Sequence, residues 1–291
     1  MLATWSFGQP AIAAAWARLA AGGTSLDAVE SACRQAEADV ENRTVGVGGY
    51  PDRDGNVSLD AAIMLSPARC GGVCAVRTVP HPITLARRVM EHTPHRLLAG
   101  GGADQFASEQ RLETGPLLTE STRQKWLDWK ASQPKPSARP ALNIEESHDT
   151  IGVLAIDSAQ TLAGGCTTSG WAFKLPGRVG DSPIIGHSLY VDPTAGCCVC
   201  TGHGELVMGI CGGFLAVEVL RRGGKPLDAV HEVLKRISSS YTLTDQDQIG
   251  MIVLAADGTF STGSLRPGYQ TAVRSPVRDE LVSPEVVLLG G

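Results

Sequence analysis

The chain has 291 residues, 43% of them apolar and 19% charged, a balance that fits a folded globular protein and excludes a disordered one. Its 25 Lys and Arg against 30 Asp and Glu leave a net charge of -5, without the basic footprint of a nucleic-acid binder. Apolar runs are broken by Gly or charge short of the ~18 residues a membrane span needs, so neither nucleic acid nor membrane is an expected partner.

This length is enough for one large α/β domain with a sizeable core. The Ala-rich stretch Gln9–Ala21 predicts a helix, stopped by Gly22-Gly23. Thr24 or Ser25 then caps a second helix, with Asp27 and Glu30 favouring its first turn. Strands are expected over Val57–Leu65 and Cys70–Arg77, a helix over Pro82–Glu91, and a short strand at Leu97-Leu98. Helices follow over Ala103–Gln110 and Glu120–Ser132. A flexible linker is expected over residues 133–148, because three prolines fall between Gln133 and Pro140.

From Thr150 the pattern becomes strand-like, with Ile151, Val153 and Ala155 on one face and Gly152, Leu154 and Ile156 on the other. Both faces are apolar, which predicts a central strand covered on both sides. Further strands are expected over Thr161–Thr168 and Thr194–Thr201. A long helix is expected over Gly204–Arg222, another over Pro226–Ile237, and a hairpin over Gly250–Ala255 and Thr259–Gly263. Gly22-Gly23-Thr24-Ser25-Leu26-Asp27-Ala28-Val29 recurs as Gly223-Gly224-Lys225-Pro226-Leu227-Asp228-Ala229-Val230. Two such helical hairpins beside strands suggest a layered helix–sheet–sheet–helix arrangement.

Eight cysteines in a long chain without an export signal read as free thiols rather than a disulfide framework. Cys198 and Cys200 would share one face of their strand and Cys197 the other, poor geometry for a metal, and none is expected. No phosphate-binding loop or nucleophile elbow occurs, and no cofactor is expected. The N-terminus has no cationic region leading into an apolar run. The expectation is therefore no signal peptide in this sequence and a cytoplasmic placement by default, with a periplasmic or lysosomal one if the chain is trimmed.

The chemical signal lies at His148-Asp149-Thr150-Ile151-Gly152, where the proline-rich linker runs into a buried strand whose first residue is Thr. Self-cleavage there would expose a threonine carrying both a hydroxyl nucleophile and an α-amine base, whose unperturbed pKa is about 7.7–8.0. A β-branched residue that simply opens a strand fits the same letters. Three further segments bear on the choice. Cys166-Thr167-Thr168-Ser169-Gly170 closes a strand with hydroxyls. Gly177-Arg178-Val179-Gly180-Asp181-Ser182-Pro183-Ile184 places an Arg fork near an Asp, a pair able to grip the two charged ends of an amino acid or to form a local salt bridge. Thr201-Gly202-His203-Gly204-Glu205 turns a strand into a helix and can serve as an oxyanion hole or an ordinary cap.

Together with Thr4-Trp5-Ser6-Phe7-Gly8, Gly48–Gly55 and Val89–His95, these stretches resemble the glycosylasparaginases, a branch of the N-terminal-nucleophile hydrolases. The resemblance spans nearly the whole chain. It implies one αββα sandwich domain over residues 1–291, cut between Asp149 and Thr150 into chains 1–149 and 150–291 that pair and form a dimer of pairs. It implies a small-molecule substrate, glycosylasparagine or another β-aspartyl amide, hydrolysed by Thr150. Thr168 matches the hydroxyl beside the nucleophile, and Thr201 and Gly202 match the oxyanion-hole pair. Arg178 resembles the anchor for the substrate α-carboxylate and Asp181 that for its α-amino group. Val179, Gly180, His203, Gly204, Trp5 and Thr44 complete the implied substrate site, Thr44 standing where relatives usually carry Ser. Val47, Gly186-His187-Ser188 and the Cys197-Cys198-Val199-Cys200 run depart from the family pattern. The isoaspartyl peptidase/L-asparaginase branch shares the Arg178–Ser182 loop but usually carries Gly where this chain has Asp149. That branch and an uncleaved amino-acid-binding relative are the alternatives.

Overall fold

The structure, a computed structural model, describes residues 1–133 and 150–290. Apart from Gln133, the expected linker lies outside the described residues, as do His148 and Asp149.

Among the described residues, eight strands form one sheet and five another. In the larger sheet, β1 (Leu2–Thr4) lies between β5 (Ile151–Ile156) and β11 (Thr271–Ser275), with β12 (Arg278–Val282) at the edge. Beyond β5 come β6 (Leu162–Thr168), β2 (Leu59–Ser66), β3 (Arg69–Val76) and β4 (Leu97–Ala99). The smaller sheet runs β13 (Val286–Val287), β10 (Phe260–Ser264), β9 (Ile249–Ala255), β8 (Gly196–Gly202) and β7 (Leu189–Asp192).

The expected central strand is found. Ile151, Val153 and Ala155 of β5 face a core shared with α1 (Gly8–Ala20), α2 (Ser25–Glu37) and α3 (Pro82–His92). Leu154 faces the inter-sheet core with Cys197, Val199 and Ile252. Gly152 is required there, because a Cβ would come within 2.3 Å of the Val199 side chain. On the outer face of the smaller sheet, Cys198 and Cys200 join α7 (Gly212–Arg221) and α8 (Pro226–Ser240) in a third core. The result is the expected four-layer αββα sandwich. Cys197 does point opposite to Cys198 and Cys200, and all eight cysteines are free, with Cys211 exposed and the rest buried.

The repeated segment makes the same turn twice. Gly22 and Gly223 both take φ +89, and Gly23 N and Gly224 N both donate to a carbonyl five residues back at 3.0 Å. The caps differ: Thr24 Oγ1 accepts from Asp27 N, whereas Asp228 accepts from Lys225 N.

The single long helix expected over Gly204–Arg222 is in fact two, α6 (Gly204–Met208) and α7. Cys211 turns left-handed at φ 51 between them. The first N–H groups of α7 then reach Gly186 and His187: Gly213 N donates to His187 O at 2.6 Å and Phe214 N to Gly186 O at 2.9 Å. Those tertiary bonds offset the break in the helical ladder. The helix expected at Ala103 starts earlier, α4 being Gly100–Glu109. The polar helix is α5 (Glu120–Ser132), anchored by Trp126 and Trp129 against Tyr50 and Phe173. Strands β1, β7, β11, β12 and β13 were not expected from the sequence; all five have five residues or fewer, too short for a clear period.

Candidate active site

Thr150 stands at the head of β5 and is buried. Hydroxyl side chains surround it. Its N–H donates to Thr201 Oγ1 at 2.9 Å, and its carbonyl accepts from Thr4 Oγ1 at 2.7 Å and from Thr201 Oγ1 at 3.0 Å. Thr4 Oγ1 also accepts from Gly152 N at 2.8 Å, so β1 clamps the start of β5. The Thr150 side-chain oxygen lies 3.1 Å from Ser182 Oγ. Trp5, held left-handed at φ 63 and edge-on to Tyr269, donates its indole N–H to Thr201 Oγ1 at 2.9 Å.

Thr201 and Gly202 end β8. Gly202 takes φ +101 and a Cβ there would come within 2.2 Å of Gln248 O, so the turn requires glycine. The register Ile151 to Thr167 carries Thr168 to the place opposite Thr150. Its hydroxyl accepts from Gly170 N at 3.0 Å and donates to Thr44 O at 3.3 Å; the hydroxyl bonded to Thr150 Oγ1 is that of Ser182. Thr44 therefore supports the site through its carbonyl, which also accepts from Ser169 N, while its own hydroxyl donates to Asn42 Oδ1.

Arg178 and Asp181 lie along the same loop as Ser182. Arg178 forks onto Glu205, Nε to Oε1 at 3.0 Å and Nη2 to Oε2 at 2.8 Å, with its guanidinium 4.6 Å from the Trp171 ring centre. Burial works against the Glu205 carboxylate, but the Arg178 fork outweighs it and holds the pKa below the usual value. The Nη1 side of Arg178 faces the backbone of Gly170 and Gly180, where a Cβ would stand 3.0 and 3.1 Å away. Val179 is half-buried between them.

Asp181 is buried against Gly204, whose absent Cβ would lie 2.4 Å from Oδ1, and its Oδ2 has no hydrogen-bond partner among the described residues. Burial pushes the Asp181 pKa up to about 7, with Arg178 opposing the shift. His203 packs against Trp171 and shares a 2.6 Å hydrogen bond with Asp247 through Nδ1. Burial also works against the Asp247 carboxylate, but bonds from Thr244 and His203 lower its pKa. Beneath the loop, the buried Lys174 ammonium donates to Ser169 O at 2.8 Å and Ser58 O at 3.2 Å; burial lowers its pKa, and Asp60 opposes that.

A serine hydroxyl on the Thr150 side-chain oxygen, neutral donors around the Thr150 backbone, and a buried carboxylate with one oxygen unpartnered among the described residues, beside an arginine fork, are groups suited to amide chemistry on an amino acid. The chain matches the Asparaginase_2 family, described as asparaginase, over residues 4–279. It belongs to that family. Three relatives agree, each named N(4)-(beta-N-acetylglucosaminyl)-L-asparaginase. The one from Elizabethkingia miricola is 42% identical, covering 99% of this chain and 85% of its own. Those from Mus musculus and Rattus norvegicus are each 38% identical over 82% of this chain, covering 77% and 76% of theirs.

Of the residues gathered here in this asparaginase-family chain, the sequence singles out Thr150, Thr168, Thr201, Gly202, Arg178, Val179, Gly180, Asp181, His203, Gly204, Trp5 and Thr44 as candidates. It does not single out Thr4, Ser182, Glu205, Trp171 and Asp247, which the structure brings into contact with those candidates. Ser182 and Glu205 sit inside stretches already singled out, so their adjacency to Asp181 and Gly204 was the available signal. Asp247 and Trp171 join the site only through the folded chain.

Proposed function

We propose that this chain is an N4-(β-N-acetylglucosaminyl)-L-asparaginase that matures by self-cleavage between Asp149 and Thr150. The observation that carries the reading is Thr150 itself. It is a buried threonine at the head of the central strand, with its nitrogen and oxygen already set among hydroxyl partners and next to the Arg178–Asp181 loop.

In the proposed cycle the substrate α-carboxylate meets Arg178 and its α-ammonium meets the open Oδ2 of Asp181. The Thr150 hydroxyl attacks the side-chain amide carbon while the freed α-amine takes the hydroxyl proton. Thr201 and Gly202 donate to the oxyanion. The Trp5 indole, already donating to Thr201 Oγ1, polarises that hydroxyl and makes it a stronger donor. The α-ammonium passes its proton to the leaving amine, and water resolves the β-aspartyl ester on Thr150. The products are aspartate and the amino sugar.

The two halves of the processed protein would stay together. β1 lies between β5 and β11, and β2 pairs with β6, so strands from both sides of the cleavage point interleave.

Intact mass under denaturing conditions and N-terminal sequencing test the reading, followed by assays on glycosylasparagine and on β-aspartyl peptides. The expected result is a second chain beginning Thr150-Ile151-Gly152 and faster turnover of glycosylasparagine. Thr150→Ala should leave one chain and reduce turnover by at least about 10⁴-fold. Full activity in a pure, uncleaved Thr150→Ala protein would overturn the reading. Preference for β-aspartyl peptides would move the chain to the isoaspartyl peptidase branch.

A further inference from the structure

We propose that Ser182 is a catalytic residue, donating its hydroxyl proton in a hydrogen bond to Thr150 Oγ1 and so stabilising that oxygen as nucleophile and as leaving group. The inference rests on Thr150 being the nucleophile.

Ser182 is buried at 1% exposure, and Thr150 Oγ1 at 3.1 Å is the single hydrogen-bond partner of its hydroxyl among the described residues. Its backbone is pinned independently. The Cys166 thiol donates to Ser182 O at 3.0 Å, and the turn closes through Ile184 N on Asp181 O at 3.2 Å. Pro183 follows it in the chain. The hydroxyl is therefore held on the nucleophile by a rigid turn that also carries Asp181.

The direction of the bond follows from proton bookkeeping. Among the described residues no base is hydrogen-bonded to Ser182 Oγ, so nothing there draws the Thr150 proton through it. In the mature enzyme that proton goes to the α-amine of Thr150 itself. Oγ1 then keeps lone pairs free to accept, and Ser182 is the donor. During acylation the Oγ1–carbon bond forms, the carbon–nitrogen bond breaks, and the proton travels from Oγ1 through the α-amine to the leaving nitrogen. During deacylation water adds to the ester carbon, the carbon–Oγ1 bond breaks, and a water proton returns to Oγ1 by the same amine. The Ser182 proton stays on Ser182 throughout. In both steps negative charge develops on Oγ1, where a donor is worth more than on a neutral oxygen.

The test compares wild type, Ser182→Ala and Ser182→Cys on a β-aspartyl amide. A hydrogen bond to a charged oxygen is worth about 1.5–3 kcal/mol, so kcat should fall about 10- to 100-fold in Ser182→Ala with KM within about threefold. Ser182→Cys, near in size and a weaker donor, should fall between the two. The acidic limb of the kcat profile should keep its position, because protonation of the α-amine base sets it. Wild-type kcat in Ser182→Ala overturns the inference, as does an equal loss in kcat and in substrate affinity, which would indicate a displaced Asp181. If Ser182→Ala stays uncleaved while melting close to the Thr150→Ala precursor, the lost self-cleavage supports the inference, since the same oxygen attacks. If Ser182→Ala does not fold, Ser182→Cys carries the test, and wild-type kcat there overturns the inference. A wild-type protein that neither cleaves nor hydrolyses would instead sink the function proposed above.

Discussion

The side chains that bond Thr150 are neutral: Thr4, Thr201 and Ser182, with the Trp5 indole behind Thr201. A few residues along the chain, the partners are charged. Arg178 grips Glu205, His203 meets Asp247, and Asp181 has an unpartnered oxygen. The difference fits the roles proposed for each end. In the proposed cycle, a carboxylate against the freed α-amine would hold it protonated and remove its basicity, so a neutral cage suits that base. Recognition of an amino acid needs the opposite, because both ends of the ligand are ionised. On this reading the charge sits at the recognition end, where Asp181 Oδ2 has no hydrogen-bond partner among the described residues.

The strongest way to break this comparison is Asp181→Asn. Leaving the substrate ammonium without its buried partner should lower kcat/KM about 10²- to 10³-fold. The same change should raise stability at alkaline pH. Burial disfavours the carboxylate and pushes the native Asp181 pKa from its ordinary 3.8 up to about 7. The native state therefore holds this proton more tightly than the unfolded chain. The unliganded protein loses stability through this group as pH rises from about 4 to about 7. Melting curves should show Asp181→Asn above wild type at pH 8 and level with it near pH 4. In wild type, KM should rise as pH falls below about 7 and the anchor is neutralised. A pH-independent KM between 6 and 8 would remove Asp181 from this role.

Arg178→Lys sharpens the comparison from the other side. A lysine keeps the charge and loses the planar fork. Steady-state kinetics should show KM about tenfold higher with kcat little changed. A comparable loss in kcat would mean that the charged end also shapes the chemistry, and the division between the two ends would fail.

The sequence made the neutral end only half legible. A Thr at the start of a twice-buried strand can be read from the alternation of Ile151, Val153 and Ala155 with Gly152 and Leu154, because period and burial are local properties. Thr4 could not, since its strand has three residues and acquires meaning only when it slots between β5 and β11. The long helix was misread for a related reason. Nothing in Gly209-Ile210-Cys211-Gly212 announces a stop as strong as the tertiary bonds to Gly186 and His187 that restart the chain as α7. At the charged end, Arg178 and Asp181 were visible as a loop motif. Their partner Glu205 lies 27 residues away from Arg178 in the chain, and no spacing rule links them.

Glu205 is also where the smallest effect carries the most information. It holds the Nε–Nη2 edge of Arg178, leaving the Nη1 side toward Gly170 and Gly180. If Glu205 orients the guanidinium so that this second edge meets the substrate carboxylate, Glu205→Gln loosens the fork. KM should then rise about threefold with kcat unchanged, since one neutral bond replaces a charged pair. If Glu205 instead occupies the edge the substrate needs, removing its charge should lower KM. The bidentate geometry favours orientation, because a guanidinium offers two distinct edges and only one is taken. Measuring KM for Glu205→Gln at pH 8, where Asp181 is ionised in both proteins, isolates the sign of the effect from the titration of its neighbour.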